Sequence, residues 1–146
     1  MLPPESLHVT LVFLGEQPES VLNSISEGVT ASARPVRGLA LGSPAAFGRG
    51  KALALKLVDR AGECAALQSS LSSLMSSAVG HQPDARSFRP HLTVARGNDI
   101  RARGLPAAPA TGDFDGRAVT LFLSHLGRGG ARYEALVSAP LYVPGQ

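Results

Sequence analysis

The chain has 146 residues, a length typical of one domain of ordinary size or of two small lobes that share a core. Hydrophobic residues make up 44% and charged residues 17%, which excludes intrinsic disorder, and no apolar run reaches the roughly 20 residues of a membrane span. The lone Cys64 excludes an internal disulfide framework and a cysteine-rich zinc site. Because the N-terminus also lacks a secretory signal pattern, we expect a cytoplasmic protein.

The formal net charge is +3, and 12 of the 14 cationic residues are arginines. Guanidinium groups bind phosphate oxygens in pairs, so this bias favours a phosphate or RNA ligand. A genome rich in G and C would give the same bias without any such ligand, and composition alone leaves both explanations open.

The first half of the chain alternates between strand and helix patterns. Residues 7–14 alternate with period 2, which predicts a strand whose core face carries Leu7, Val9, Leu11 and Phe13. Helical spacing then predicts a helix over residues 18–33, which ends before a proline. Two further strands are predicted at 36–41 and 52–58, joined by a loop at 42–51 that contains glycine and proline.

In the second half, a single apolar stripe predicts a helix over residues 63–79. A strand is expected at 88–95, followed by a surface excursion at 97–116. Two last strands, at 117–125 and 131–141, are linked by a glycine-rich turn. The order β α β β α β β β indicates an α+β fold with mostly antiparallel strands.

Two of the predicted strands carry the same triplet, His-x-Thr: His8 with Thr10, and His91 with Thr93. Residues i and i+2 of a strand project to the same face, so each triplet presents an imidazole and a hydroxyl together. One such triplet is more typical of a half-buried surface pair than of a catalytic site. Two copies in matched strand contexts favour catalysis. His81 and His125 lack the triplet and are interpreted as structural or solvated.

Two strands of this kind placed side by side would bring two imidazoles and two hydroxyls to one cleft. One imidazole can act as base while the other, protonated, acts as acid. Cleavage of a phosphodiester needs both roles, and threonine hydroxyls can donate to the non-bridging oxygens. A zinc site is disfavoured because no acidic residue or cysteine lies at metal-ligand spacing around the two histidines. We therefore expect neither a metal nor a cofactor.

Three segments carry a family resemblance: PPESLHVTLVFLGE, FRPHLTVAR and VTLFLSHLGRGGARYEAL. They resemble the 2H phosphoesterase superfamily, and most closely its bacterial RNA 2′,3′-cyclic phosphodiesterase family, also called 2′-5′ RNA ligase. The resemblance covers about residues 3–141. It implies one bilobal domain over residues 1–146, with two antiparallel sheets, helices on the outside and the active site in the cleft between the lobes.

The resemblance also implies an activity, which is hydrolysis of RNA 2′,3′-cyclic phosphate ends, such as those of tRNA fragments, to 2′-phosphomonoesters without a metal. His8 would donate a proton to the leaving 3′ oxygen, His91 would activate water, and Thr10 and Thr93 would hold the phosphate. The motifs are nearly symmetric, so the pair is better defined than the direction of proton transfer. Alternatives are reversible 2′-5′ RNA ligation and a catalytically weak RNA-end-binding module.

Further expectations concern partners. Six cationic residues in loops or beside the motif strands are candidate RNA contacts: Arg49, Lys51, Arg89, Arg96, Arg128 and Arg132. Phe13 and Phe47 could stack a base, although core packing is expected for Phe13. Members of the family usually carry a strand and a helix ahead of the first motif. A sheet edge left uncovered without them would favour a homodimer.

Overall fold

The computed structural model of the protein describes residues 4–101 and 112–141. They form, in order, α1 (Leu22–Ser32), β1 (Leu39–Phe47), β2 (Ala52–Asp59), α2 (Glu63–Val79), β3 (His91–Arg96), β4 (Ala118–Gly127) and β5 (Gly130–Pro140). Short 3-10 turns at Pro4–Ser6 and Glu19–Val21 precede α1. The predicted α+β class is confirmed. Within the described ranges, no helix is long and apolar enough to cross a membrane.

The strands form two separate antiparallel sheets. The first has the order β1-β2-β3, and the second is the β4-β5 hairpin. The two helices pack against each other, α1 also contacts both strands of the hairpin, and α2 contacts β2. The helix pair therefore lies behind both sheets and leaves their other faces available for a site.

One hydrophobic core joins the helices to both sheets. Its buried residues come from α1, α2, β1, the hairpin and the chain beside these elements: Ile25, Val29, Val36, Leu39, Cys64, Leu67, Leu71, Met75, Val119, Ala139 and Leu141. The helices approach most closely at Gly28, where a Cβ atom would collide with the side chain of Met75. Glycine at this position thus allows α1 to lie directly on α2.

Helix α2 spans the predicted residues 63–79, and both ends have a clear cause. The Asp59 carboxylate accepts hydrogen bonds from the N–H groups of Cys64 and Ala65, which satisfies donors in the first turn. Gly80, with φ of 69°, ends the helix, and its N–H donates to the Ser76 carbonyl. The prediction for this helix is confirmed.

The strand predicted at residues 7–14 is wrong in extent. Only Val9 forms a bridge, to Leu92 of β3, and the rest of the segment has no strand pairing. Its apolar side chains still serve the core, since Leu11, Val12 and Leu14 pack against it. Of the predicted core face only Leu11 is among these, since Val12 and Leu14 have the opposite parity and Leu7 is 37% exposed. Alternation indicates a regular strand, and it could not show that a partner strand is present only at Val9.

The first sheet also begins and ends differently from the prediction. β1 starts at Leu39 and continues to Phe47, through residues assigned to a loop from their glycine and proline content. A shift of register between Leu41 and Pro44 accommodates these residues, and Pro44 is tolerated because β1 is an edge strand. Within the predicted excursion at 97–116, Phe114 pairs with Leu39, while residues 102–111 lie outside the described residues.

Candidate active site

The two His-x-Thr triplets meet at the isolated antiparallel bridge between Val9 and Leu92. In this register His8 lies opposite Thr93, and Thr10 lies opposite His91. The four side chains share one face because each flanks a bridge residue by one position. The two histidines occupy diagonal positions, which in such a pair are about 7–8 Å apart. That separation allows both imidazoles to reach one phosphate group.

Each imidazole is oriented by the backbone just ahead of it. The Nδ1–H of His8 donates to the carbonyl of Ser6 at 2.8 Å, and the Nδ1–H of His91 donates to the carbonyl of Arg89 at 2.9 Å. Because a carbonyl oxygen only accepts, Nδ1 must carry the proton in both rings. Nε2 is thus the nitrogen that can accept a proton from a neutral ring or donate one from a charged ring.

The aromatic surroundings of the two rings differ. Phe47, the last residue of β1, stacks on His91 with ring centroids 4.2 Å apart and planes at 11°. The ring of His8 instead packs edge-on against Tyr133, with the ring centroids 5.2 Å apart. Its centroid lies 6.0 Å from that of Phe122, and these two ring planes are tilted by 40°. The plane of His91 is therefore held by a stack, whereas His8 lies in a corner between two rings.

Phe122 and Tyr133 bring the second sheet to the site. Phe122 lies opposite Ala135 and Tyr133 lies opposite Ser124, so both aromatic rings project from the same face of the hairpin. The rings are 6.1 Å apart. Since His8 touches both of them while His91 belongs to the first sheet, the histidine pair lies where the two sheets face each other.

Sequence reasoning missed Phe122, Tyr133 and also Lys56, which is the register partner of His91 on β2. Alternation along β4 places Phe122 on the face opposite the core residue Val119, and this signal could have indicated it. Along β5, alternation places Tyr133 on the same face as the core residue Ala139, and only the register shift between Leu121 and Phe122 turns Tyr133 to the other face. Phe13 was expected in the core, but this expectation is wrong: its side chain is 81% exposed, while its neighbours Leu11 and Val12 are packed.

The candidate RNA contacts are spread over the site and its rim. The guanidinium of Arg89 lies 6.0 Å from the centroid of the Phe47 ring, so it is joined to the site through the stack on His91. Lys51 donates to the side chain of Asn98 at 2.8 Å. The others are exposed: Arg49 in the β1–β2 turn, Arg96 at the end of β3, Arg128 in the hairpin turn, and Arg132 on the hairpin face opposite Tyr133.

The ion pairs of the described residues do not include the residues of the two triplets. Arg37 binds Glu63 at 2.8 Å, and this hydrogen-bonded pair lowers the pKa of the Glu63 carboxyl. Arg86 likewise lowers the pKa of Asp84, chiefly through hydrogen bonds to its carboxylate. His125 pairs with Glu134 at 3.0 Å, in agreement with a structural role. In residues 4–101 and 112–141, no three His, Cys, Asp or Glu side chains are grouped as metal ligands.

The sequence matches the profile of the 2′-5′ RNA ligase superfamily over residues 2–123, which includes both triplets and most of β4. The chain belongs to the 2′-5′ RNA ligase superfamily, the 2H phosphoesterases. Its recognition as a 2H phosphoesterase from the paired triplets is thereby confirmed. A comparison with curated proteins gave no match.

Solved structures of this superfamily share the fold. TT0787 of Thermus thermophilus is 27% identical, with a TM-score of 0.79 over 96% of this chain and 80% of its own. E. coli LigT complexed with 3′-AMP is 26% identical, with a TM-score of 0.72 over 94% of this chain and 78% of its own. A further structure, described as a phosphoesterase, is 24% identical and supports the fold alone. The fold class expected from the sequence is confirmed.

Proposed function

We propose that this protein hydrolyses RNA 2′,3′-cyclic phosphate ends to 2′-phosphomonoesters, with His8 and His91 as acid and base. The observation that carries the proposal is the Val9–Leu92 bridge, which puts both triplets on one face with the imidazoles diagonal to each other. Membership of the 2′-5′ RNA ligase superfamily and the likeness to LigT, whose structure was solved with 3′-AMP, support a phosphoester of RNA as substrate.

In this mechanism neutral His91 accepts a proton from water through Nε2, and the resulting oxygen nucleophile forms a bond to phosphorus. The bond from phosphorus to the 3′ oxygen breaks, and protonated His8 gives its Nε2 proton to that oxygen. The Nδ1 hydrogen bonds to the Ser6 and Arg89 carbonyls keep Nε2 of each ring available in both steps. Thr10 and Thr93 donate to the non-bridging oxygens, where negative charge builds up.

The two sheets would then act as the two lobes of one domain, with the phosphate in the cleft between them. The hairpin supplies the aromatic corner around His8, and the first sheet supplies His91 with its Phe47 stack. Among the candidate RNA contacts, Arg89 has its guanidinium 6.0 Å from the Phe47 ring that stacks on His91, which supports a contact with the RNA near this phosphate. The homodimer expected from the sequence stays a prediction, which light scattering at high concentration can test.

The test is hydrolysis of a nucleoside 2′,3′-cyclic phosphate in the presence of EDTA. We expect wild-type protein to turn over and His8→Ala and His91→Ala to lose about 10²- to 10⁴-fold in kcat. His125→Ala is the matched control, because His125 binds Glu134 on the other face of the hairpin. Turnover that the two site variants retain at the wild-type level would refute the proposal.

A second candidate is 2′-5′ ligation of RNA halves, which the superfamily description favours. It uses the same pair, with a 5′ hydroxyl in place of water as the group that attacks phosphorus and the 3′ oxygen again as the leaving group; cleavage of the 2′-5′ bond is the reverse reaction, in which the two histidines exchange roles. Joining of tRNA half-molecules, measured beside hydrolysis under identical conditions, gives the balance between the two reactions. If the protein binds RNA with an affinity that falls steeply with salt but catalyses neither reaction, the third alternative, an RNA-end-binding module, is indicated.

A further inference from the structure

A lysine is the direct neighbour of His91 in the first sheet. Lys56 of β2 pairs with His91 of β3 in the antiparallel register. The next pair along the strands, Leu57 and Pro90, is hydrogen-bonded through the Leu57 N–H and the Pro90 carbonyl at 3.0 Å. Hydrogen-bonded and non-hydrogen-bonded pairs alternate, so Lys56 and His91 form a non-hydrogen-bonded pair, the type in which side chains are closer. Lys56 therefore projects from the same face as the imidazole.

Lys56 lies on the side of His91 that faces away from the reacting phosphate. Across the sheet, β3 lies between β2 and the segment that carries His8 and Thr10. Thr10, His91 and Lys56 thus form a row, with neighbouring strands about 4.8 Å apart. The reacting phosphate occupies the space among the two triplets. The backbone of Lys56 lies one strand beyond that space, and its flexible four-carbon side chain carries the ammonium group.

The positive charge on this flank is not neutralised within the described residues. Lys56 is exposed and forms no ion pair there, and Arg89, which lies on the Phe47 ring, forms none either. Asp59, the acidic residue of β2, is engaged by the N–H groups of Cys64 and Ala65. A cationic surface without a partner, next to a phosphate site, attracts a further anion.

We propose that Lys56 binds a second phosphate of the substrate, the phosphodiester that joins the terminal nucleotide to the one before it. The inference rests on the proposed function and names its substrate class: the ends of oligonucleotides rather than single nucleotides. A mononucleoside cyclic phosphate has only the reacting phosphate and leaves Lys56 without a ligand. A dinucleotide that ends in a cyclic phosphate supplies the second anion.

The kinetic test compares these two substrates, uridine 2′,3′-cyclic phosphate and the dinucleotide ApU ending in the same cyclic phosphate. We expect Lys56→Ala to lower kcat/KM for the dinucleotide about tenfold, with less than a twofold change for the mononucleotide. Lys56→Arg should restore most of the difference because it keeps the charge. Arg34→Ala, at an exposed residue just after α1, is the control for loss of one surface cation.

A binding test keeps the inference separable from the activity. Titration calorimetry with uridine 2′-phosphate and with ApU 2′-phosphate should show a dinucleotide advantage that Lys56→Ala abolishes, with a salt slope lower by about 0.7. Equal losses for both ligands would mean that Lys56 contacts the reacting phosphate, and no loss would mean that it contacts neither; each overturns the proposal. If wild-type protein hydrolyses neither substrate, the proposed function fails and calorimetry still decides the role of Lys56.

Discussion

Replacing Phe47 by alanine should slow turnover without weakening substrate binding. Phe47 and His91 lie parallel within 11° at a centroid distance of 4.2 Å, so the phenyl ring restricts the rotation that would swing Nε2 away from the phosphate. A stacked aromatic pair contributes about 0.5–1.5 kcal/mol beyond its buried area. If that energy holds the reactive orientation, its loss lowers kcat about 2- to 12-fold, since each 1.36 kcal/mol is tenfold in rate.

The assay is steady-state hydrolysis of a nucleoside 2′,3′-cyclic phosphate, with kcat and KM determined separately. Phe47→Tyr keeps the ring and should keep kcat. Phe13→Ala is the matched control, because its side chain is 81% exposed and has no contact with either histidine ring. A rise in KM with kcat unchanged would refute this reasoning and would indicate that Phe47 stacks on the base of the substrate.

Three further predictions concern stability and reactivity. Burial raises the pKa of the Cys64 thiol to about 11, so at pH 8 a disulfide reagent should modify it at least about 100-fold more slowly than an unfolded control; modification at the control rate would contradict this. Met75→Ala, at a site 1% exposed, should cost about 3 kcal/mol and lower Tm by about 6–12 °C in a calorimetric scan, whereas Ser73→Ala on the exposed face of α2 should change Tm little. Glu63→Gln removes the ion pair with Arg37. Because that pair lowers the pKa of the Glu63 carboxyl, its stabilisation is present at pH 7 and is lost as the pH falls through the lowered pKa, so the Tm difference from wild type should shrink on acidification; a difference that does not change with pH would refute the assignment.

The sequence predicted those features that depend on local pattern. Helix α2 has the predicted bounds because its apolar stripe, its capping aspartate and the following glycine all act within a few residues of it. The paired triplets were informative for a different reason: the period of a strand fixes which side chains share a face, whatever the partner. Both arguments use only the spacing of residues along the chain, which the sequence gives directly.

Features that depend on which segments meet were missed. The segment 7–14 has the alternation of a strand, but it pairs with another strand only at Val9. No local signal shows this. Lys56 looks like an ordinary surface lysine until the register of β2 and β3 puts it beside His91. Phe122 and Tyr133 belong to another sheet, so their approach to His8 depends on how the helix pair joins the two sheets.

The bridge between Val9 and Leu92 closes a loop of 83 residues with a single pair. Contacts between such distant residues form late in folding, because the entropy of closing the loop must be overcome before they add stability. A single pair at the margin of a sheet also opens at a lower free energy than the core beneath it. The proposed reaction needs this pair to be closed, so activity should be lost in mild denaturant before the helices melt.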